Sequence, residues 1–450
     1  MNSKTANPGA IIDNNRVSGY QIMVLVLCFL VVLVDGFDTA VIGYIAPALR
    51  QEWGLQPAQL SPAFGAGLFG LMVGAFIFGP VADAYGRKKV LLVSVLIFSL
   101  GTLASAYSTS IDMLTALRFL TGIGLGGAMP TCITLSAEYS PARRRMIMVT
   151  LAYSGFTTGL ALGGAVASQI IPVFGWRGVL MIGGVVPLLL LPVLAWLLPE
   201  SVRFMAAHAG HTDALRTVMG KITGRTDLHD ITFIEPQSPV AVRSPISQLF
   251  IEHRALRTVL LWGTFFCSLF VFYLLTSWLP SILKDAGYDI SAAARIGAMV
   301  PLGGTVGAIL MALLMDRVSP YRVLGLAYLG SALVIALIGF VLADAFWLGL
   351  TVFMVGFGVA GAQNGLNLLS ASIYPTAARA TGVSWAMANG RVGSIIGSVL
   401  GAWLIAQLGQ PSVFFIVLAV PALLGSIAIF SLQRMTERKK PVSEVTALPT

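Results

Sequence analysis

Apolar positions in this chain run in long unbroken stretches, and polar positions collect in the gaps between them. Twelve stretches can be drawn: 20–47, 61–81, 90–107, 113–138, 146–171, 178–198, 258–282, 296–315, 323–342, 346–372, 381–407 and 411–433. None shows the two-residue alternation of a half-buried strand. About 20 such residues in a helix cross the hydrocarbon core of a bilayer. Backbone polar groups in lipid must be satisfied within their own segment, so the stretches are predicted as transmembrane helices, span 1 to span 12. The expected fold class is an all-α membrane protein. The longest polar interruption, 199–257, leaves six spans on either side. The predicted organisation is a tail at 1–19, a six-helix half at 20–198, a linker at 199–257 with short amphipathic helices, a second half at 258–433 and a tail at 434–450.

Composition agrees with this pattern. Of 450 residues, 56% are hydrophobic and 10% charged, whereas a soluble domain carries about 25% charged residues. The net charge of +9 would suit a nucleic-acid partner, but its distribution argues against one. With the N-terminus in the cytoplasm, 22 of the 28 Lys and Arg fall in the two tails and the loops on that side. Only Arg50, Arg177, Lys284 and Arg295 fall in loops on the other side. That bias is a topology signal, and it predicts both termini in the cytoplasm. The three cysteines lie inside apolar runs and the four histidines inside one polar segment, so neither a disulfide framework nor an intramembrane metal cluster is expected. The first apolar run is too long for a signal-peptide core and is expected to be a retained span.

An internal repeat appears at an offset near 233 residues. Asp83 after span 2 recurs as Asp316 after span 8. Pro141 and Arg145 recur as Pro375 and Arg379, while Glu138 has Ser372 as its counterpart. Two related six-helix halves place a solute site between them near the bilayer midplane.

Several motifs carry a resemblance. Gly79-Pro-Val-Ala-Asp83-Ala-Tyr-Gly86-Arg87-Lys88-Lys89 resembles the G-x-x-x-D-R-x-G-R-K signature of the major facilitator superfamily, departing from it at Ala84. Arg118-x-x-x-Gly122 resembles a second motif of that superfamily. Glu138-x-x-Pro141-x-x-x-Arg145 and Pro199-Glu200-Ser201-x-Arg203-Phe204 look like its sugar-porter branch and relatives. Asp35-Gly36-Phe37-Asp38-Thr39 in span 1, Tyr273-Leu-Leu-Thr-Ser-Trp278-Leu-Pro280 in span 7, and Tyr374-Pro375 through Trp385 to Arg391 resemble the aromatic acid:proton symporters. The resemblance implies two pseudo-symmetric six-helix halves in a monomer. It also implies symport of a proton and a small aromatic acid, such as a hydroxybenzoate, protocatechuate or gallate, across a bacterial inner membrane to feed aromatic catabolism. On this resemblance the proton is expected to be the coupling ion, with no cofactor and no enzymatic activity.

Charged residues inside spans are costly and by default mark ion or substrate paths. Asp35 and Asp38, three apart, share one helix face. Two carboxylates so close in a low dielectric do not both ionise readily, as a proton-loading site requires. A structural ion pair with a neighbouring Arg is the alternative. Arg118 in span 4 lies at a depth close to that of Asp38 and is a candidate partner for it. Arg391 in span 11 is a candidate grip for a substrate carboxylate, since guanidinium offers two parallel hydrogen bonds, with pairing to Asp35 across the two halves as the alternative. Gln363, Asn364 and Asn367 form a polar patch in span 10, suited either to ring hydroxyls or to helix–helix hydrogen bonds. Trp385, Phe37, Tyr44 and Tyr273 are candidates to stack on an aromatic ring or to pack. Asp83, Arg87, Glu138, Arg145, Asp316 and Arg379 lie at the cytoplasmic ends and are candidates for a gate that latches and releases. Glycines at 122, 124, 126, 127, 155, 159, 163 and 164 are expected to permit close helix packing.

Other functions fit less well. Drug:proton antiporters of this fold carry a Gly-Pro step in span 5, where this chain has Gly159-Leu160. An importer of a sugar or a non-aromatic organic acid is favoured by the Pro-Glu-Ser run but not by the Asp-Gly-Phe-Asp motif. A membrane enzyme lacks a nucleophile–base pair or phosphate-binding loop in the spans.

Overall fold

The computed structural model describes residues 4–208, 211–224, 231–233, 249–251, 254–374 and 379–437. Its helices, in chain order, are α1 (Pro8–Asn14), α2 (Gly19–Trp53), α3 (Pro57–Tyr85), α4 (Arg87–Ser105), α5 (Ile111–Glu138), α6 (Arg145–Leu197), α7 (Val202–Ala207), α8 (Thr212–Thr223), α9 (Ala255–Asp285), α10 (Ile290–Met315), α11 (Pro320–Ile338), α12 (Ala345–Ile373), α13 (Arg379–Leu408) and α14 (Pro411–Glu437). Eleven of them are long and apolar enough to cross a membrane. One of these, α6, has 53 residues. A straight helix of that length would run about 80 Å, far beyond a bilayer. Gly175 interrupts it at φ 68°, ψ −175°, so spans 5 and 6 lie on either side of the break and the eleven helices supply twelve spans. The break is anchored to the end of α2. Trp176 Nε1 donates to Glu52 Oε2 at 2.7 Å, Arg177 pairs with Glu52 Oε1, and Trp53 meets Trp176 edge-on at 5.3 Å.

The chain divides into two compact units, Met1–Val240 with Gly287–Ala298, and Ala241–Ala286 with Met299–Thr450. In the first, α2 packs on α6, and α5 packs on α3 and α4. The α2–α6 contact is close enough to exclude side chains: a Cβ on Gly36 would lie 2.1 Å from the Phe156 carbonyl oxygen. In the second unit, α9 packs on α13 and α14, and α11 on α12 and α14. Its core gathers Leu261, Phe265, Leu324, Tyr328, Leu366 and Ile429.

The polar segments hold more structure than their composition announces. Ser18 and Gln21 form a reciprocal capping box at the start of α2. In the linker, α8 buries Leu215, Val218, Met219 and Ile222 along one face, as an amphipathic helix must. Two three-residue strands, β1 (Lys4–Ala6) and β2 (Ile231–Phe233), pair in parallel. That pairing is an addition to the expected all-α class, formed between two short extended segments far apart in sequence. Pro236, Pro239, His229, His253, Pro375 and the tail beyond residue 437 lie outside the described residues.

Candidate functional site

The first unit encloses Asp35, Asp38 and Arg118, which are 0%, 1% and 3% exposed. Arg118 grips Asp38 in fork geometry, Nη1 to Oδ2 at 3.2 Å and Nη2 to Oδ1 at 3.3 Å. Two threonines complete the arrangement. The Thr102 hydroxyl donates to Asp38 Oδ1 and accepts from Arg118 Nη2 at 3.0 Å, and Thr121 Oγ1 accepts from Arg118 Nη2 at 3.3 Å. Asp35, one turn earlier on α2, accepts from Thr39 Oγ1 at 3.4 Å. The aspartates therefore sit in different settings, one paired to a guanidinium and one beside a hydroxyl. A cavity of about 30 Å³ borders the pair, walled by Thr39, Ile42, Phe64, Leu68 and Leu125, enough room for a water molecule.

At the Gly86 end of the same unit a second polar cluster forms. Arg87 pairs with Glu138 at 2.7 Å and with Asp83 at 3.2 Å, and it donates to Ser201 Oγ. Ser201 Oγ also donates to Glu138. The Glu200 carboxylate accepts from the backbone N–H of Arg87 and Lys88, at 2.7 and 3.0 Å. It thus caps the N-terminus of α4, where the helix dipole favours an anion. Gly86 makes this approach possible: its φ is 102°, and a Cβ there would lie 2.4 Å from Glu200 Oε2. The Tyr139 hydroxyl donates to the Glu200 carbonyl at 2.6 Å, and burial raises this phenol well above its usual pKa, so it stays a neutral donor. Arg145 lies apart from this cluster, with Asp13 at 3.5 Å and the Ser140 carbonyl at 3.4 Å.

The second unit holds the other candidates. Arg391 is half-buried and donates to the Tyr273 hydroxyl at 3.4 Å. Gln363 accepts from Ser268 Oγ at 2.9 Å. Asn364 and Asn367 are half-buried on the same helix, α12. Trp385 stacks on Trp262 at 5.9 Å and is 43% exposed. It precedes Arg391 by six residues on α13, a rise of about 9 Å. Phe37 is buried, and the Tyr44 hydroxyl donates to the Leu160 carbonyl at 3.1 Å. Asp316 and Arg379 are exposed.

Sequence reasoning had no place for Thr102, Glu200, Ser201, Tyr139 or Asp13 in these clusters. Glu200 and Ser201 carried a signal, the Pro-Glu-Ser run after span 6. Thr102 carried none, because a threonine in an apolar run is ordinary.

A buried ion pair inside a bundle of membrane-length helices, with a second guanidinium in the other half of the chain, is the build of a polytopic solute carrier. Comparison with known proteins agrees. The Major Facilitator Superfamily matches residues 28–389 and 296–449. A gallate transporter of Pseudomonas putida is 45% identical over 421 residues, 93% of each chain. A 4-hydroxybenzoate transporter of Acinetobacter baylyi is 40% identical over 424 residues, 94% of this chain and 93% of that one. Among solved structures, a D-xylose-proton symporter matches at TM-score 0.69 and 18% identity, covering 92% of this chain and 97% of its own. The chain belongs to the Major Facilitator Superfamily, in its aromatic acid transporter family. It is a multi-pass protein of the bacterial inner membrane, and a transporter rather than an enzyme.

Proposed function

We propose that this protein imports an aromatic carboxylate together with a proton by alternating access. The observation that carries the reading is the buried pair of Asp38 and Arg118, flanked by Asp35. A guanidinium and two carboxylates inside a membrane bundle are too costly to serve packing alone. The relatives named for gallate and 4-hydroxybenzoate supply the substrate class.

In this reading Asp35 and Asp38 carry the proton, and Arg118 responds to the charge on Asp38. Arg391, beside Tyr273, grips the substrate carboxylate. Gln363, Asn364 and Asn367 meet ring hydroxyls, and Trp385 borders the path. The substrate and a proton bind between a half at 20–198 and a half at 258–433, which rock about that site. Asp83, Arg87, Glu138, Arg145, Asp316 and Arg379 gate the cytoplasmic side, on which the charge bias also places both termini and the linker. The protein works as a monomer, with the proton as its coupling ion.

The test is uptake of labelled hydroxybenzoates, protocatechuate, gallate and benzoate at two pH values, in cells carrying the parent chain or Asp35→Asn. The variant is expected to lose accumulation against a gradient while retaining substrate binding. Accumulation equal to the parent's would refute the coupling role, and uptake of none of the acids would refute the substrate class.

A further inference from the structure

A chain of hydroxyls in the second unit bears on which aromatic acid is taken. The Tyr328 hydroxyl, on α11, donates to Ser268 Oγ at 3.0 Å, and Ser268, on α9, donates to Gln363 Oε1 at 2.9 Å. Tyr328 and Ser268 are buried. A buried phenol must spend its proton on a partner. Its proton goes to Ser268, and the single Ser268 proton goes on to Gln363. The direction of the chain fixes the Gln363 amide, with its oxygen occupied and its –NH₂ turned away as a donor. One helical turn on, Asn367 Oδ1 is buried and accepts no hydrogen bond from any described residue. A buried acceptor without a partner keeps the desolvation cost of that group with no bond to offset it.

We infer that Gln363 and Asn367 form a donor–acceptor pair for one phenolic hydroxyl of the substrate, and that Ser268 and Tyr328 are positioning residues that hold the pair in that order. The two side chains stand at i and i+4, about 5–6 Å apart at their bases. A single hydroxyl oxygen bridges such a gap with two bonds of about 2.8 Å, accepting from Gln363 and donating to Asn367. An acid without that hydroxyl leaves the Gln363 –NH₂ and Asn367 Oδ1 without this partner. A site built to hydrogen-bond a hydroxyl discriminates strongly against the analogue that lacks it. The inference rests on the aromatic-acid reading above and narrows it to hydroxylated rings.

The experiment compares initial uptake of 4-hydroxybenzoate and benzoate by cells carrying the full chain, with membrane abundance measured alongside. The parent is expected to prefer the hydroxylated acid. Ser268→Ala frees the Gln363 amide to turn, and the preference is expected to fall about tenfold, through the apparent KM for 4-hydroxybenzoate. Ser268→Thr retains the hydroxyl and is expected to retain the preference. Where Ser268→Ala does not reach the membrane, Tyr328→Phe carries the test, with a smaller loss in the same direction. A packing defect alone lowers uptake of both acids and leaves their ratio unchanged. A parent that takes up both acids equally overturns the donor–acceptor pair. A parent with the preference and a Ser268→Ala variant that keeps it overturn the positioning chain. A parent that takes up none of 4-hydroxybenzoate, benzoate, protocatechuate and gallate overturns the aromatic-acid reading itself, which separates that failure from the other two.

Discussion

Arg118 reaches Asp38 with two contacts at 3.2 and 3.3 Å in a setting closed to water on nearly every side. Removing one member of a buried pair leaves an uncompensated charge, at a cost of about 3–5 kcal/mol, whereas removing both charges is often neutral. Arg118→Ala is therefore expected to lower the melting temperature of the purified protein, and Asp38→Asn with Arg118→Gln to recover most of the loss. Arg118→Lys keeps the charge but gives up the fork, which a lysine ammonium cannot reproduce. That variant is expected to fold, with reduced uptake and an altered pH dependence. Full uptake with the parent's pH profile would refute a coupling role for the pair. The residues of this site differ in how far the sequence announced them. Asp38 and Arg118 stand out because charge is rare in apolar runs. Thr102, which touches both, is hidden because threonine is at home in a span and its partners come from other helices.

Among the elements, α2 decides the position of the two candidate coupling aspartates. It carries Asp35, Gly36 and Asp38 within four positions, and Gly36 lies against the backbone of α6 at Phe156. The obstacle is a carbonyl oxygen, which cannot swing aside as a side-chain end can. Gly36→Ala is expected to push the helices apart, at a cost of about 1–3 kcal/mol, and to move both aspartates with the backbone. The expected readout is a lower melting temperature together with a loss of uptake larger than the instability accounts for. An unchanged melting temperature would show that the contact yields freely. The helices themselves were legible, because twenty apolar residues in lipid leave the backbone few options. The join at Gly175 was legible as a gap between two apolar runs, though not as the sharp break it proves to be. The pairing of β1 with β2 was not legible, since three-residue strands have no periodicity to read.

Across the whole molecule the two halves repeat in sequence but differ in their polar ends. The first half places Arg87 between Asp83 and Glu138, with Glu138 5% exposed on its side chain. The second half has Ser372 at the position of Glu138, and the Ser372 hydroxyl turns back to the Leu369 carbonyl at 2.7 Å. Its Asp316 and Arg379 are exposed. The repeat thus preserves the candidate gating positions, but the carboxylate that Arg87 pairs with in the first half is replaced by a serine in the second. Stability and gating should then separate. Arg87→Ala strips the cation from a buried carboxylate and is expected to cost about 3–5 kcal/mol, seen as a lower melting temperature. Arg379→Ala removes an exposed charge and is expected to change stability by no more than about 0.5 kcal/mol. Its effect belongs to transport, as a changed maximal uptake rate at an unchanged melting temperature. If Arg379→Ala leaves both quantities as in the parent, Arg379 has no part in the proposed gate, and that proposal rests on the Arg87 cluster and Asp316.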